Sequence, residues 1–397
     1  MPELEAESMM RLALREARRA SGRTHPNPPV GAVVYRGATV LGRGFTRPAG
    51  GPHAEVVALR AAAHRHGAAA LRGASLAVTL EPCCHVGRTG PCTRAIIDAG
   101  IAHVVAGHRD PNPRVGGRGL DALRAAGVGV ESGALEAECR AQHRGFVSVM
   151  ERGRPFVALK LAASLDGRIA TARGESRWIT GDAARAAVHA LRARSDAIVV
   201  GSRTAMADDP ELAARRGARV LRRPIRVLVD SALRASPELR LFRDGHAALT
   251  WVLCAEDAPV ARRRRLERAG ARLLPVPRRG PEKGAPLDLR RALRRLAGEG
   301  LTELLVEGGG GLAAALLQDG LVDELHWFAA PVLIGGDGVP ALGALGVSRL
   351  AAAPRLADAR LRRLPGGDLH LVARVAAALP SGRPRPALRS RARRREP

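Results

Sequence analysis

The chain contains few aromatic residues and almost no lysine. Nine of its 397 residues are Phe, Tyr or Trp, and Lys160 and Lys283 are the only lysines beside 62 arginines. Proteins that bind single-stranded nucleic acid stack its bases on aromatic rings, of which this chain offers few. We therefore expect no nucleic-acid partner despite the formal net charge of +26, because arginine serves a phosphate-bearing substrate equally well.

The chain also lacks a long hydrophobic segment. No apolar run reaches the roughly 20 residues that a membrane-spanning helix needs. The amino-terminal segment is acidic and then amphipathic, without the basic start and apolar centre of a signal peptide. The sequence therefore predicts no membrane association and a cytoplasmic location.

Cysteine is scarce but clustered. Cys83, Cys84 and Cys92 lie within ten residues of one another, and Cys139 and Cys254 complete the set of five. In a cytoplasmic protein such a cluster favours metal binding or catalysis over disulfide bonds. The two isolated cysteines are expected in the core.

The length allows two domains, each large enough to bury a core. Strand patterns alternate with helix patterns over residues 1–150, with a helix that starts at His53 and a last helix at about 134–149. The alternation then starts again and includes a helix at about Asp182–Arg194 and a strand at Ile225–Val229. We predict α/β domains at 1–150 and 151–377, joined by a linker at 151–155. Arginine and proline dominate the end of the chain, which predicts a disordered basic tail at 378–397.

The cysteine cluster and a His-x-Glu pair predict a catalytic zinc site. His53, Cys83 and Cys92 would supply one imidazole and two thiolates, and a zinc ion with three protein ligands keeps a fourth position for water. Zinc lowers the pKa of that water, and a carboxylate that does not bind the metal must then move protons to the leaving amine. Glu55 is the candidate for this role. Cys92 follows Pro91 at a predicted helix start, where the helix dipole favours a thiolate.

The same residues resemble a known family. An H-x-E pattern followed by P-C and a further Cys is the signature of zinc-dependent nucleobase deaminases. Eight residues separate Cys83 from Cys92 instead of the common two, and this spacing, with the segments starting at His25 (HPNPPVG) and Asp110 (DPNP), resembles the deaminase domain of the bifunctional enzymes of riboflavin biosynthesis. The resemblance implies a cytidine-deaminase-like domain with α/β/α layers.

The resemblance also implies roles for individual residues. It places the metal ligand directly after a proline, which favours Cys83 over its neighbour Cys84. It further implies contacts with the pyrimidine or its phosphate by four residues: Asn27, His85, Arg88 and Thr89.

Three alternatives remain open at this point. The cysteines could hold a structural zinc, with His85 as a fourth ligand and Glu55 as a solvated helix residue. The first domain could act on nucleic-acid bases, although the long Cys83–Cys92 spacing and the lack of aromatics count against this. The chain could also be a basic, zinc-stabilised binding module without catalysis.

A glycine run in the second half has the properties of a phosphate site. A predicted strand ends at Glu307 and is followed by four glycines, Gly308 to Gly311, and then by an apolar helix pattern. Backbone amides at a helix amino terminus bind phosphate. The run does not match the G-x-G-x-x-G fingerprint, so a Rossmann fold is not supported, and a plain turn is the alternative.

Further motifs extend the resemblance to the second half. Segments that start at Lys160 (KLAASLDGRIA), Gly174 (GESRWIT) and Val200 (VGSRTAMADDP), together with the glycine run, resemble the reductase domain of the same enzymes. The resemblance covers about residues 155–375 and implies a dihydrofolate-reductase-like α/β domain that uses NADPH. The implied cofactor contacts are Ala162, Trp178, Thr204, Asp208, Ser231, Gly309, Gly310, Gly311, Leu312, Ala313, Ala314 and Ala315. The implied substrate contacts are Ser176, Arg192, Leu212, Arg215 and Glu307.

Several of these residue types suit the chemistry. The guanidinium groups of Arg192 and Arg215 could clamp a ribose phosphate, and Trp178 offers a flat apolar face to a cofactor ring. Lys160 stands out because this chain uses arginine almost everywhere else. A compact ammonium could polarise C1 of the opened sugar, so we predict a catalytic role for Lys160, although Lys283 shows that a lysine without an evident role also occurs.

Together these features predict a bifunctional enzyme of riboflavin biosynthesis. The first domain would deaminate 2,5-diamino-6-ribosylamino-4(3H)-pyrimidinone 5′-phosphate with Zn²⁺. The second would reduce the ribosyl group of the resulting aminouracil with NADPH. The expected partner is this phosphorylated pyrimidine, and the family resemblance implies a homo-oligomer.

Overall fold

A computed structural model describes residues 2–86, 90–282 and 284–376. The predicted tail at 378–397 lies outside the described residues, as do Arg88 and Thr89. None of the helices in the described residues is long and apolar enough to cross a membrane.

The first half of the chain is a five-stranded sheet between two layers of helices. Its strands run in the order β2-β1-β3-β4-β5, and β3, β4 and β5 are parallel. Side chains alternate along β1, so that Val33 packs with helix α1 on one face and Val34 packs with α2, α3 and α4 on the other. The strands are β1 (Gly31–Arg36), β2 (Thr39–Phe45), β3 (Ser75–Val78), β4 (His103–Ala106) and β5 (Gly129–Ser132). The helices are α1 (Pro2–Ala20), α2 (Ala54–His66), α3 (Cys92–Asp98), α4 (Arg118–Ala125), α5 (Glu136–Gln142) and α6 (Arg144–Arg152).

The predicted single helix at about 134–149 is wrong, because the chain forms the two helices α5 and α6 with a break at His143. The His143 ring is fully buried and hydrogen-bonded to Thr79 and His108. Helical periodicity continues on both sides of the break. The break between α5 and α6 therefore coincides with hydrogen bonds to distant residues, which the local sequence pattern does not reveal.

The second half is built on a nine-stranded sheet in the order β13-β12-β11-β8-β14-β6-β15-β18-β17. Neighbouring strands from β13 to β15 are parallel, whereas β18 and β17 are antiparallel additions at one edge. Its strands are β6 (Phe156–Ser164), β8 (Ala197–Gly201), β11 (Ile225–Val229), β12 (Thr250–Ala255), β13 (Arg272–Val276), β14 (Glu303–Val306), β15 (Glu324–Ala330), β17 (Arg355–Arg363) and β18 (Leu369–Ala376). The short strands β7 (Arg168–Ala170), β9 (Ala214–Arg216), β10 (Arg219–Arg222) and β16 (Val339–Pro340) form two small ribbons. The helices are α7 (Asp182–Arg194), α8 (Ser202–Asp208), α9 (Arg240–Arg243), α10 (Val260–Arg268), α11 (Leu289–Gly298) and α12 (Gly310–Gln318).

Both faces of this sheet are covered. Val157 and Leu159 of β6 face one core, and Ala158 between them faces the other. Strands β13, β17 and β18 do not follow from the sequence pattern. Eight of the nine positions of β17 are exposed and five of its nine residues are charged, so it carries no alternation of apolar and polar residues that would predict a strand.

The segment predicted as a linker is fixed by ion pairs. Helix α6 continues through Arg152 and the chain turns at Gly153 with a φ of 65°. The guanidinium groups of Arg152 and Arg154 both bind the carboxylate of Asp323, at 2.6 and 2.7 Å. Because Arg154 is buried, the connection between the two halves is part of a packed interface.

Arg144 extends this interface to the second sheet. Its guanidinium binds Glu303 at 2.5 Å and Glu324 at 2.8 Å, and these are the first residues of β14 and β15. The first half therefore packs against the amino ends of these strands. Burial alone would raise the pKa of Glu324, but a hydrogen bond with His326 and the charge of Arg144 lower it to about 2.

This depressed pKa predicts an acid-sensitive interface. A carboxyl whose pKa falls from 4.5 to about 2 on folding contributes about 3 kcal/mol of stability above pH 4.5, and this contribution is lost as the pH falls through that range. We expect Glu324→Gln to lower the free energy of unfolding at pH 6 and to approach the wild type near pH 3, as measured by urea denaturation. The exposed Glu238→Gln serves as control, and a constant difference between Glu324→Gln and the wild type at all pH values would contradict the prediction.

Candidate active sites

The predicted zinc ligands come from three segments at one edge of the first sheet. His53 directly precedes α2, Cys83 lies in the loop after β3, and Cys92 is the first residue of α3. The close contact between β2 and α2 helps to place His53, because a Cβ atom at Gly44 would lie 2.3 Å from the carbonyl oxygen of Ala54. Only glycine permits this approach.

The three ligand atoms converge. Nδ1 of His53 lies 3.3 Å from Sγ of Cys92 and 3.6 Å from Sγ of Cys83, and all three atoms lie within 4.8 Å of one another. One imidazole and two sulfur atoms in this arrangement suit Zn²⁺. Among the described residues, neither Cys84 nor His85 belongs to this group of ligand atoms, which leaves a three-residue set.

Local electrostatics favour one thiolate and a protonatable carboxyl. Hydrogen bonds with Cys92 and His53 outweigh burial and lower the pKa of Cys83 to about 4. The hydrogen bond with Cys83 and burial raise the pKa of Cys92. Glu55 lies in the first turn of α2 and is 4% exposed, and burial together with the negative charge of Cys83 raises its pKa to about 7. The Glu55 carboxyl is thus next to the ligand set and can hold or release a proton near neutral pH.

Glu81 anchors the loop that carries Cys83, a role that the sequence analysis missed. Its buried carboxylate accepts four backbone N–H groups at 2.8 to 3.3 Å, and two of the donors belong to the first turn of α4. The donors are Asp110, Gly117, Gly119 and Leu120. A carboxylate at a helix amino terminus is stabilised by free amides and by the helix dipole. The signal in the sequence was an acidic residue directly before the Pro82-Cys83 pair.

The predicted substrate residues of the first site are only partly placed. Asn27 is half-buried in the turn before β1, where its backbone carbonyl accepts a hydrogen bond from Thr24 at 2.9 Å. His85 is exposed in the loop between Cys83 and Cys92. The structure gives neither side chain a hydrogen bond that would identify a substrate, so both roles remain predictions.

The residues predicted for the second site gather at the carboxyl ends of four neighbouring strands. Ala162 lies near the end of β6, Thr204 follows β8, Ser231 follows β11, and Glu307 follows β14. Strand β14 lies between β8 and β6 although it comes later in the chain. Crevices at the carboxyl ends of strands, where the connections diverge, are the usual ligand sites of open α/β sheets.

The glycine run forms the start of α12. This helix begins at Gly310, two residues before the predicted start, and the N–H of Gly309 donates to Oγ1 of Thr204 at 2.9 Å. The side chains of Ala313 and Ala314 are buried, whereas a Cβ atom at Gly311 would meet nothing within 4 Å. The open position of the predicted cofactor segment is therefore Gly311, because a Cβ atom at Gly309 or Gly310 would lie 2.9 Å from a neighbouring oxygen. Leu312 and Ala315 are partly buried against the core.

Lys160, Arg192 and Glu307 form a charged cluster beside this turn. Arg192 binds both carboxylate oxygens of Glu307, at 2.6 and 2.8 Å. Burial lowers the pKa of Lys160, and the charge of Glu307 opposes this shift. The residue predicted to act on the sugar thus lies next to two residues predicted to bind the substrate.

A second arginine cluster surrounds Glu211. Arg215 binds this carboxylate at 2.6 Å and Arg223 approaches it at 3.4 Å, while the neighbouring Leu212 is buried. Arg215 and Leu212 are among the residues predicted from the sequence, whereas Glu211 and Arg223 are not. The Glu211 carboxylate orients both guanidinium groups.

The segment with Ser176 and Trp178 lies beside α8. Arg177 donates to the carbonyl oxygen of Asp208 at 2.7 Å, and Ser176 is half-buried. Trp178 is 72% exposed, and the guanidinium of Arg185 lies 4.6 Å from the centre of its ring. An exposed indole at this position leaves an apolar face free for a ligand.

Two family models match the chain. The model described as the RibD C-terminal domain matches residues 155–369, and the model described as the cytidine and deoxycytidylate deaminase zinc-binding region matches residues 4–108. The riboflavin biosynthesis protein RibD of Escherichia coli K12 is 41% identical, with coverage of 93% of this chain and 100% of the relative. The protein of the same name from Aquifex aeolicus is 37% identical, with coverage of 91% and 96%.

Solved structures agree with these matches. Form 1 of Acinetobacter baumannii RibD superposes with a TM-score of 0.83 at 34% identity, covering 94% of this chain and 99% of that one. The Thermotoga maritima diaminohydroxyphosphoribosylaminopyrimidine deaminase/5-amino-6-(5-phosphoribosylamino)uracil reductase superposes with a TM-score of 0.79 at 32% identity, covering 95% and 100%.

The folds and sites define a two-domain enzyme in which a zinc-dependent deaminase domain precedes a reductase domain. This chain belongs to the RibD family of riboflavin biosynthesis proteins. The predicted fold classes, the bifunctional activity in riboflavin biosynthesis, and Zn²⁺ and NADPH as cofactors are thereby confirmed.

The anchoring by Glu81 can be tested with one substitution. In Glu81→Gln the amide NH₂ would face two of the four backbone donors, so we expect the free energy of unfolding to fall by about 3 kcal/mol. Denaturation of the zinc-loaded protein measures this loss. Asp121→Asn removes an exposed carboxylate from the first turn of the same helix and should have little effect. Equal stability of the two variants would contradict the anchoring role.

Proposed function

We propose that the first domain hydrolyses the 2-amino group of 2,5-diamino-6-ribosylamino-4(3H)-pyrimidinone 5′-phosphate and releases ammonia. The second domain then reduces the ribosyl group of 5-amino-6-(5-phosphoribosylamino)uracil to ribityl with NADPH. The observation that carries this proposal is the convergence of His53, Cys83 and Cys92 beside the buried carboxyl of Glu55.

In the deaminase site, His53, Cys83 and Cys92 would hold the metal. Bound zinc supplies the Lewis acidity that brings the pKa of water toward neutrality. The Glu55 carboxylate accepts a proton from the attacking water and delivers it to the departing amine. Its burial keeps bulk water from competing for that proton. Asn27 and His85, with Arg88 and Thr89, are proposed to contact the substrate.

In the reductase site, the glycine turn and Thr204 would bind the cofactor. NADPH supplies the hydride when bound. Arg192 and Arg215 hold the substrate phosphate, and Glu307 orients the Arg192 guanidinium through two hydrogen bonds. Lys160 polarises C1 of the opened sugar with its ammonium group. The remaining proposed cofactor contacts are Ala162, Trp178, Asp208, Ser231, Gly309, Gly310, Gly311, Leu312, Ala313, Ala314 and Ala315. Ser176 and Leu212 complete the proposed substrate contacts.

The structure supports this proposal over a structural zinc. A closed structural site normally has four protein ligands, and within the described residues the ligand group has three. The domain limits 1–150 and 151–377, the cytoplasmic location and the homo-oligomer stay predictions. The boundary between residues 150 and 151 is supported by the match to the RibD C-terminal domain model, which begins at residue 155.

Glu55→Gln tests the deaminase step. The amide cannot carry the proton, so we expect ammonia release to fall by at least about 100-fold. Zinc content and NADPH oxidation with the aminouracil intermediate should be unchanged. The exposed Glu131→Gln is the matched control. Full ammonia release by Glu55→Gln would overturn its role, and loss of both activities would contradict separate sites.

Lys160→Arg tests the reductase step. Arginine keeps the charge, but its planar guanidinium cannot replace a compact ammonium beside Arg192. We expect the rate of NADPH oxidation with the aminouracil to fall by about 100-fold while ammonia release stays at the wild-type rate. Lys283→Arg, at the only other lysine, is the control. Unchanged turnover of Lys160→Arg would show that Lys160 has no special role.

A further inference from the structure

A chain of buried hydrogen bonds joins strands β1, β3 and β4 near the zinc ligands. Nε2 of His108 lies 2.8 Å from Nδ1 of His143, and Nε2 of His143 lies 3.1 Å from Oγ1 of Thr79. The N–H of Gly31 donates to the same hydroxyl at 3.1 Å. At the other end, Nδ1 of His108 lies 2.7 Å from the carbonyl oxygen of Arg109. The three side chains are at most 1% exposed, so water cannot replace these bonds.

The donor and acceptor in each of these hydrogen bonds follow from the two backbone groups at the ends of the series, the carbonyl oxygen of Arg109 and the N–H of Gly31. A carbonyl oxygen only accepts, so His108 donates from Nδ1 to Arg109 and its Nε2 accepts from Nδ1 of His143. Nε2 of His143 then accepts from the Thr79 hydroxyl, whose oxygen accepts from Gly31. Each ring nitrogen has a partner with both imidazoles neutral. Burial lowers the pKa of both histidines, and a contact of His143 with the backbone of Pro29 opposes this shift only in part.

These hydrogen bonds adjoin the loop that carries Cys83. Thr79 is the first residue after β3, and the carbonyl oxygen of His108 accepts from the N–H of Glu81 at 3.0 Å. The N–H of Asp110 in turn donates to the Glu81 carboxylate at 3.0 Å. His143 thus fixes the start of the Cys83 segment through Thr79. Through His108 it also fixes the segment that follows the neighbouring strand β4.

His143 also lies at a junction between the two domains. Its ring points to Thr79 and His108 of the deaminase domain, while the next residue, Arg144, binds Glu303 and Glu324 of the reductase domain. The turn between α5 and α6 is therefore held from both sides. A leucine of similar volume could fill the cavity, but it would leave the hydroxyl hydrogen of Thr79 and Nε2 of His108 without partners.

We propose that His143 is a positioning residue of the deaminase site, which acts through Thr79 and His108 to hold Cys83 in register with His53 and Cys92. This inference rests on the proposed function of that site. It assigns to a buried histidine, outside the ligand set, the task of keeping the metal ligands convergent.

The experiment uses the full chain, four single variants and the double variant His143→Leu/Thr79→Val. His143→Leu and Thr79→Val break the hydrogen-bond chain, and Thr79→Ser keeps its hydroxyl. Phe146→Leu removes buried volume from α6 without touching the chain. For each protein we would measure zinc retention against a chelator, the sulfur-to-metal absorption bands of the cobalt-substituted form, kcat and KM for ammonia release, and NADPH oxidation as a check on folding.

We expect His143→Leu and Thr79→Val to lose zinc about 10- to 100-fold more readily, with altered cobalt bands and a lower kcat for ammonia release. Thr79→Ser and Phe146→Leu should retain the wild-type values. The double variant should be little worse than either single one, since both break the same chain.

Cobalt bands and zinc retention equal to wild type in Thr79→Val would overturn the proposal, and this variant decides the matter if His143→Leu does not fold. The proposal would also be overturned if Phe146→Leu changed the metal site as much as Thr79→Val does. A wild-type protein that binds zinc but releases no ammonia would instead contradict the proposed function, because the cobalt spectrum reports on ligand geometry independently of turnover.

Discussion

The deaminase half of this enzyme depends on bringing one imidazole and two sulfur atoms to a single point from three separate segments. The contacts between Cys83, Cys92 and His53 are short, and the backbone N–H of Cys92 also donates to Sγ of Cys83 at 3.4 Å. The support comes from Glu81, whose carboxylate ties the loop to the start of α4, and from the helix starts that carry the other two ligands. Since the carboxylate and three of its four backbone donors are buried, a bond lost at those three would leave a buried polar group without a partner.

In the reductase half, a parallel sheet brings residues from distant parts of the chain together. Strand β14 begins with Glu303, which binds Arg144 of the deaminase domain, and is followed directly by Glu307, which binds Arg192. One short strand thus connects the domain interface with the charged cluster of Lys160, Arg192 and Glu307. The parallel arrangement explains why residues far apart in the chain meet there, because the carboxyl ends of neighbouring strands share one edge.

Arginine residues form many of the ion pairs in this structure as well as supplying its positive charge. Arg144 and Arg154 pair with carboxylates in the domain interface, and Arg192 and Arg215 pair with Glu307 and Glu211 at the reductase site. Planar guanidinium groups suit such two-pronged contacts with carboxylates and phosphates. The large positive charge is consistent with an enzyme of a phosphorylated small molecule, and the single lysine in this cluster, Lys160, contrasts with it.

Local pattern alone determined the elements with strong periodicity and the motifs with short spacing. The predicted helix Asp182–Arg194 and strand Ile225–Val229 have the same bounds in the structure, and the pair His53 and Glu55 falls at a helix start as expected. Only the tertiary structure decided those features that depend on contacts with residues far away in the sequence. The break at His143 accompanies hydrogen bonds to residues 35 and 64 positions away, and Glu81 owes its role to donors 29 to 39 positions away. Periodicity within a segment records which face is buried, but it carries no information about which remote atom will lie opposite a given side chain.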